Sequence, residues 1–225
     1  MFACKELRDE YFEGLKEKAK FFLDMGAKYV IAAEGTGSSC WDPREYRAAK
    51  GVQKLNEEEW KLSTDGLNMA GRFCKDNGLT LVYHVHTGTC VETFDETQKL
   101  CDMTDPEYVN LLADTGHLCF CGVNIPEFYD HFADRIKYVH LKNIRPLVLQ
   151  VVREFGIDFN NAVKLGIFTV PGDDGAVDFQ TVFEILAKHN YEGWMLVEAE
   201  QYLPSPSALH FAKMARSYIR QQTGL

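Results

Sequence analysis

Short apolar runs alternate with longer amphipathic stretches along the whole chain. In "ELRDEYFEGLKEKAKFFLDMG", Leu7, Tyr11, Leu15, Ala19, Phe22 and Leu23 recur at helical spacing, and Gly26 follows as a C-terminal cap. "KYVIAAEG" then reads as a strand, and residues 41–54 as a polar loop without periodicity. "NEEEWKLSTDGLNMAGRFCKDNG" predicts a second helix, opening on Asn56 as N-cap with acids in its first turn and closing on Gly78. The pattern goes on through strand "LTLVYHVH", helix "TFDETQKLCDMT", strand "YVNLLADTGH", helix "NIPEFYDHFADR" and strand "IKYVHLKN". Residues 145–166 predict one or two helices, "IFTVPG" a short strand and "DFQTVFEILAKHN" a helix. "GWMLVEAE" is the last strand and "SALHFAKMARSYIRQQ" the closing helix.

Six strands separated by helices imply right-handed βαβ units and a parallel sheet. No linker rich in Gly, Ser or Pro interrupts them, so residues 1–225 read as a single domain. The sheet is either open and doubly wound or a (β/α)8 TIM barrel lacking part of its set. The polar residues favour the barrel. Glu34, His84 and His86, Asp114 and His117, His140 and Lys142, Thr169, and Glu198 and Glu200 all fall at C-terminal strand ends. A parallel barrel draws its site from many strand ends at once, whereas an open sheet concentrates it near one switch point.

Composition narrows the class further. A net charge of −9 argues against nucleic acid and anionic membrane surfaces as partners. No apolar run approaches the roughly 20 residues of a membrane span, and the polar start is unlike a signal peptide. Seven scattered cysteines, without an export signal, predict reduced thiols in a cytoplasmic protein. Cys119 and Cys121 form only a CxC, read as packed or half-exposed thiols.

Imidazole and carboxylate together at converging strand ends suit a divalent ion such as Mn²⁺, Fe²⁺, Co²⁺ or Zn²⁺. Asp114 in "ADTGH", His140 in "YVHLKN" and Glu198 in "LVEAE" are the candidates. Strand alternation puts His84 on the same face as His86, His140 with Lys142, and Glu198 with Glu200. Buried carboxylates and imidazoles at several strand ends cost too much unless they are paired or bind metal. "EGTGSS" (34–39) lacks the phosphate-loop lysine and spacing and reads as a loop over the mouth; "VPGDDG" is a turn. No GxSxG nucleophile elbow and no CxxC zinc spacing occurs.

The strings "YHVHTGTCVET", "TDPEYVNLLADTGHL", "DRIKYVHLKN", "GIFTVPGDDGAVDF" and "YEGWMLVEAEQ" resemble, in order and wording, the inosose (2-keto-myo-inositol) dehydratases. That family lies within the xylose isomerase-like sugar phosphate isomerase/epimerase superfamily of metal-dependent TIM barrels. The resemblance spans roughly residues 5–220 and is densest from 78 to 201. It implies a hydro-lyase of inositol catabolism that eliminates water from a cyclic polyol ketone through a metal-stabilised enediolate. A ketose 3-epimerase-like activity at the same metal site, or an inactive fragment, is the alternative.

The implied metal shell is Asp114, His140 and Glu198, with His84 or Glu92 as fourth ligand. The implied ion is Mn²⁺ or Co²⁺, with Zn²⁺, Fe²⁺ or Mg²⁺ as further options. Either His86 or Glu200 is the implied base, and His117 or Lys142 assists the departing water. Glu34, His86, His117 and Lys142 line the substrate, a small polyol or sugar ketone. Homo-oligomers, chiefly dimers, are common among such barrels. Two departures stand out. Asn143 follows the lysine of "HLKN" where these enzymes usually carry aspartate, and "YLPSPS" replaces the usual continuation after "VEAEQ". The family also begins with two further βα units, so the six strands are expected to form an open barrel with exposed edges.

Overall fold

A computed structural model describes residues 2–3, 5, 7–33, 54–201 and 208–224. Glu34 and the "EGTGSS" segment lie outside the described residues. Two compact units make up the chain, Met1–Leu112 and Ala113–Leu225.

The first unit starts with helix α1 (Arg8–Asp24), strand β1 (Tyr29–Ala32) and helix α2 (Glu57–Asp76). Strand β2 (Thr80–His84), helix α3 (Phe94–Met103) and strand β3 (Val109–Asp114) follow, the last two residues of β3 belonging to the second unit. β1, β2 and β3 pair in parallel, with Tyr29 opposite Thr80 and Leu81 opposite Val109. Two helices begin as the sequence predicts. The Asn56 side chain accepts from the Glu59 amide while the Glu59 carboxylate accepts from the Asn56 amide, a closed capping box. Thr93 and Glu96 repeat the device on α3.

α2 lies against the turn before β3 at backbone distance. A Cβ on Gly71 would stand 2.2 Å from the Tyr108 carbonyl oxygen. That contact is the reason a poor helix former sits in the middle of α2.

The second unit opens with helices α4 (Thr115–Phe120) and α5 (Ile125–His131) and strand β4 (Ile136–Leu141). Strand β5 (Asn143–Ile144), helices α6 (Pro146–Phe155) and α7 (Phe159–Lys164) and strand β6 (Phe168–Thr169) come next. Helix α8 (Phe179–Lys188), strand β7 (Trp194–Val197) and helix α9 (Ala208–Thr223) complete it. β4 and β7 run parallel, Val139 opposite Met195 and Leu141 opposite Val197. The core of this unit includes Ile144, Leu149, Val152, Ala162, Ile167 and Phe168, under α6 and α7.

Three local features differ from the sequence expectation. "IFTVPG" was expected as one more parallel strand, but Phe168–Thr169 pair antiparallel with Asn143–Ile144. The strand expected to run through His117 stops at Asp114, whose carboxylate caps a new helix, so His117 is helical. β7 ends at Val197, and Glu200 takes a positive φ of 39°. Strand alternation therefore does not govern the Glu198–Glu200 pair. No helix among the described residues is long and apolar enough to cross a membrane.

The glycine argument for α2 is testable. Gly71→Ala is expected to lower unfolding free energy by about 1–3 kcal/mol, the usual range for overpacking. Gly14→Ala in α1, where nothing lies within 4 Å of the added Cβ, should instead raise it by up to about 1 kcal/mol through helix propensity. Urea denaturation distinguishes the two, and equal effects would refute the close-approach account.

Candidate metal and proton-transfer site

Lys142 is the least expected residue in the second unit, a lysine with no solvent exposure. Its Nζ lies 2.5 Å from Glu200 Oε2, 3.0 Å from Glu198 Oε2, 3.0 Å from His117 Nε2 and 3.4 Å from Asp114 Oδ2. The Phe168 ring faces it with its centroid 4.8 Å away. Burial by itself would strip the proton from such an amine. Asp114, Glu200 and Glu198 outweigh that penalty and hold the ammonium well above the ordinary lysine range.

Asp114, wholly buried at the end of β3, divides its two oxygens between two tasks. Oδ1 accepts the amides of Gly116 and His117, capping α4 at 2.8 and 3.0 Å. Oδ2 faces the His140 ring, 3.2 Å from Nδ1. His140 projects from β4, and its Nδ1 is also 2.8 Å from Glu198 Oε2. Burial opposes a charged ring here, but hydrogen bonds to Asp114 and Glu198 raise the imidazole to about 9. Glu198 moves the opposite way: burial would raise it, yet His140 and Lys142 draw it down to about 2. Glu200 is raised, by burial first, with Lys142 opposing and the neighbouring carboxylates adding to the rise.

Hydrogen-bond direction settles one tautomer. An ammonium only donates, so His117 Nε2 accepts from Lys142 and the ring proton sits on Nδ1. His117 is enclosed by the rings of Phe159 and Phe168, with centroids 5.6 and 5.4 Å away. The sequence expected it at the end of a strand. It lies instead on the first turn of α4, anchoring Lys142.

Asp114, His140 and Glu198 each offer a donor atom within 4.8 Å of the others. Their separations of 3.2 and 2.8 Å are close to the roughly 3.0–3.4 Å between donors that share one ion at about 2.1 Å. The charges agree with that fit. Three carboxylates against one ammonium leave two negative charges, which a divalent cation balances once His140 is neutral. A mixed oxygen and nitrogen donor set suits Mn²⁺, Fe²⁺, Co²⁺ or Zn²⁺.

Of the other expected residues, His84, His86 and Glu92 lie in the first unit and Thr169 in the second. His84 ends β2 and is buried, its ring edge-on to that of His86 at 5.1 Å. His86 Nδ1 lies 2.6 Å from the Thr87 carbonyl, so that nitrogen carries the proton and Nε2 is the acceptor face. Glu92 accepts from the Gly88 amide at 2.7 Å and pairs with Lys54 at 3.5 Å. Thr169, at the end of β6, donates to Asp173, which Arg145 holds at 3.0 Å. Thr115 and Gly116 escaped the sequence reading, although a glycine in the first turn of a helix is itself a signal that something else needs the space.

Comparison with known proteins agrees with this architecture. The xylose isomerase-like TIM barrel profile matches residues 4–218. An inosose dehydratase of Geobacillus kaustophilus is 44% identical over 222 residues, covering 97% of this chain and 71% of the relative. One from Clostridium beijerinckii is 47% identical over 204 residues, covering 91% of this chain and 68% of the relative. The crystal structure of the IolI protein with a bound zinc atom superposes with a TM-score of 0.73 at 18% identity. It covers 98% of this chain and 73% of that one. The chain thus belongs to the xylose isomerase-like TIM barrel family, and within it to the inosose dehydratases.

Removing a partner from a buried ion cluster leaves an uncompensated charge. Asp114→Ala is expected to destabilise the metal-free protein by about 3–5 kcal/mol, well beyond the roughly 1 kcal/mol of a lost cap. Chemical denaturation checks this, and a loss at the level of a cap alone would contradict the cluster's energetic role.

Proposed function

We propose that the protein is a divalent-metal-dependent hydro-lyase acting on a cyclic polyol ketone such as 2-keto-myo-inositol (scyllo-inosose), in inositol catabolism. The observation that carries this reading is the meeting of Asp114, His140 and Glu198 beside the Lys142–Glu200 pair. The relatives called inosose dehydratases supply the substrate class.

Asp114, His140 and Glu198 would hold the ion, which when bound supplies Lewis-acid stabilisation for charge developing on a ketone oxygen. The chain's own residues divide the proton work. Of the two bases the sequence offers, His86 and Glu200, we favour Glu200 because its raised proton affinity and contact with Lys142 suit proton exchange. Glu200 takes the proton from the ring carbon next to the ketone. The electron pair of that C–H bond then expels the β-hydroxyl, whose oxygen takes a proton from Lys142 and leaves as water. Glu198 and His117 hold the ammonium in place meanwhile.

Incubation with scyllo-inosose and Mn²⁺ or Co²⁺ is expected to give an ultraviolet-absorbing dione, and EDTA to stop its formation. His140→Gln and Glu198→Gln should lose metal and turnover together, by roughly 100-fold or more. Glu200→Gln should keep its metal while kcat falls by about 10²–10⁴. A metal-loaded protein that leaves scyllo-inosose intact, or epimerises a ketohexose at C3 without loss of water, would overturn the proposal.

A further inference from the structure

We propose that the Asp-Thr-Gly-His turn at residues 114–117 is a cradle for one side chain, with Thr115 and Gly116 as positioning residues for the Lys142 ammonium. The inference rests on the reading of Lys142 as the proton-delivering group and adds to it the residues that aim that proton.

Thr115 is wholly buried. Its Oγ1 donates to the Lys142 carbonyl at 2.6 Å and accepts from the Lys142 amide at 3.0 Å. One hydroxyl therefore grips the main chain on both sides of the Lys142 Cα. It does so where the sheet gives no help, since Lys142 falls in the gap between β4, ending at Leu141, and β5, starting at Asn143. This fixes the direction in which the side chain departs.

Gly116 fixes its path. A Cβ there would lie 2.5 Å from Lys142 Cγ, 2.6 Å from Cδ and 2.9 Å from Cβ. The aliphatic stem thus runs along the bare Cα of Gly116, and any side chain at 116 would displace it. Glycine is a poorer helix former than alanine, so its place in the first turn of α4 calls for a compensating use, and the stem provides one. His117 Nε2 then receives the tip of the side chain.

Lysine has four rotatable bonds and loses more rotamer entropy than most side chains when ordered. A stem fixed before substrate arrives has met that cost at folding, which is what preorganised catalysis requires. If Thr115 and Gly116 merely formed α4, substitutions there would act alike whether or not the lysine was present.

A double-mutant cycle distinguishes the two. In metal-loaded protein, Gly116→Ala should cut kcat for scyllo-inosose by roughly tenfold to a hundredfold, with KM and bound Mn²⁺ changing by less than about twofold. In a Lys142→Ala background the same substitution should alter residual kcat by less than about twofold, because coupled residues are non-additive. Thr115→Val should lower kcat, and Thr115→Ser, keeping the hydroxyl, should restore it to within about threefold. An equal fold-loss from Gly116→Ala in both backgrounds, or a serine variant as impaired as the valine one, overturns the cradle.

A readout independent of turnover separates this failure from failure of the proposed activity. Gly116→Ala should lower the thermal midpoint of the otherwise unaltered chain and leave that of Lys142→Ala unchanged. That pattern supports the cradle even if scyllo-inosose is not dehydrated, and an equal midpoint shift in both backgrounds refutes it. Should Lys142→Ala fail to fold, the Thr115 pair of variants decides the matter.

Discussion

A lysine ammonium with no access to water stays charged only where anionic groups replace its hydration shell, and the second unit is organised around that requirement. Lys142 has Glu200, Glu198 and Asp114 around it, with His117 accepting and Phe168 facing it. β3 brings Asp114, α4 His117 and β6 Phe168, and the segment after β7 brings both Glu198 and Glu200. Loss of Asp114 or His117 would leave charge or polarity stranded in the interior. The cluster resembles a keystone more than a decoration, because its members are far apart in sequence and meet around one ammonium.

The same electrostatics explain how an ion and a proton exchange roles. In the metal-free state His140 neutralises part of the carboxylate charge by holding a proton between Asp114 and Glu198. A divalent cation at those donors makes that proton unnecessary. On the proposed reading the same donors would serve in either charge state, with His140 protonated or with the ion bound. This is the arrangement expected where charge must be stabilised on a substrate oxygen while a proton is handed over nearby.

Most of the architecture was legible from periodicity. Asn56 and Gly78 marked the ends of α2 because capping and positive-φ glycine chemistry are local, and local chemistry is written in short strings. The chemistry-bearing residues Asp114, His140, Lys142, Glu198 and Glu200 were legible because charged side chains at strand ends are too costly to be incidental. What escaped was set by contacts distant in sequence. Nothing in "DTGH" reveals that Asp114 turns the chain into a helix, or that Thr115 reaches a residue 27 positions away. Likewise Asn143, read as a departure from the family's usual aspartate, uses its amide in a way no carboxylate could. It accepts from the Ile144 and Val177 amides and donates to the Asp173 carbonyl. Glu200 reaches Lys142 through a left-handed backbone that strand alternation does not anticipate.

Asp114 spends one oxygen on the first turn of α4 and the other on the His140–Lys142 cluster. Asparagine would keep the cap and lose the charge; serine would keep a weaker cap and no reach; glutamate would carry the charge one methylene too far for the turn. Folding and chemistry are thereby joined at one codon. Most positions in a protein can drift through a neighbour that satisfies one demand while the other is repaired elsewhere, but this position has no such intermediate. Substitution here therefore disturbs folding and the cluster together, whereas a change at Glu200 touches the cluster alone.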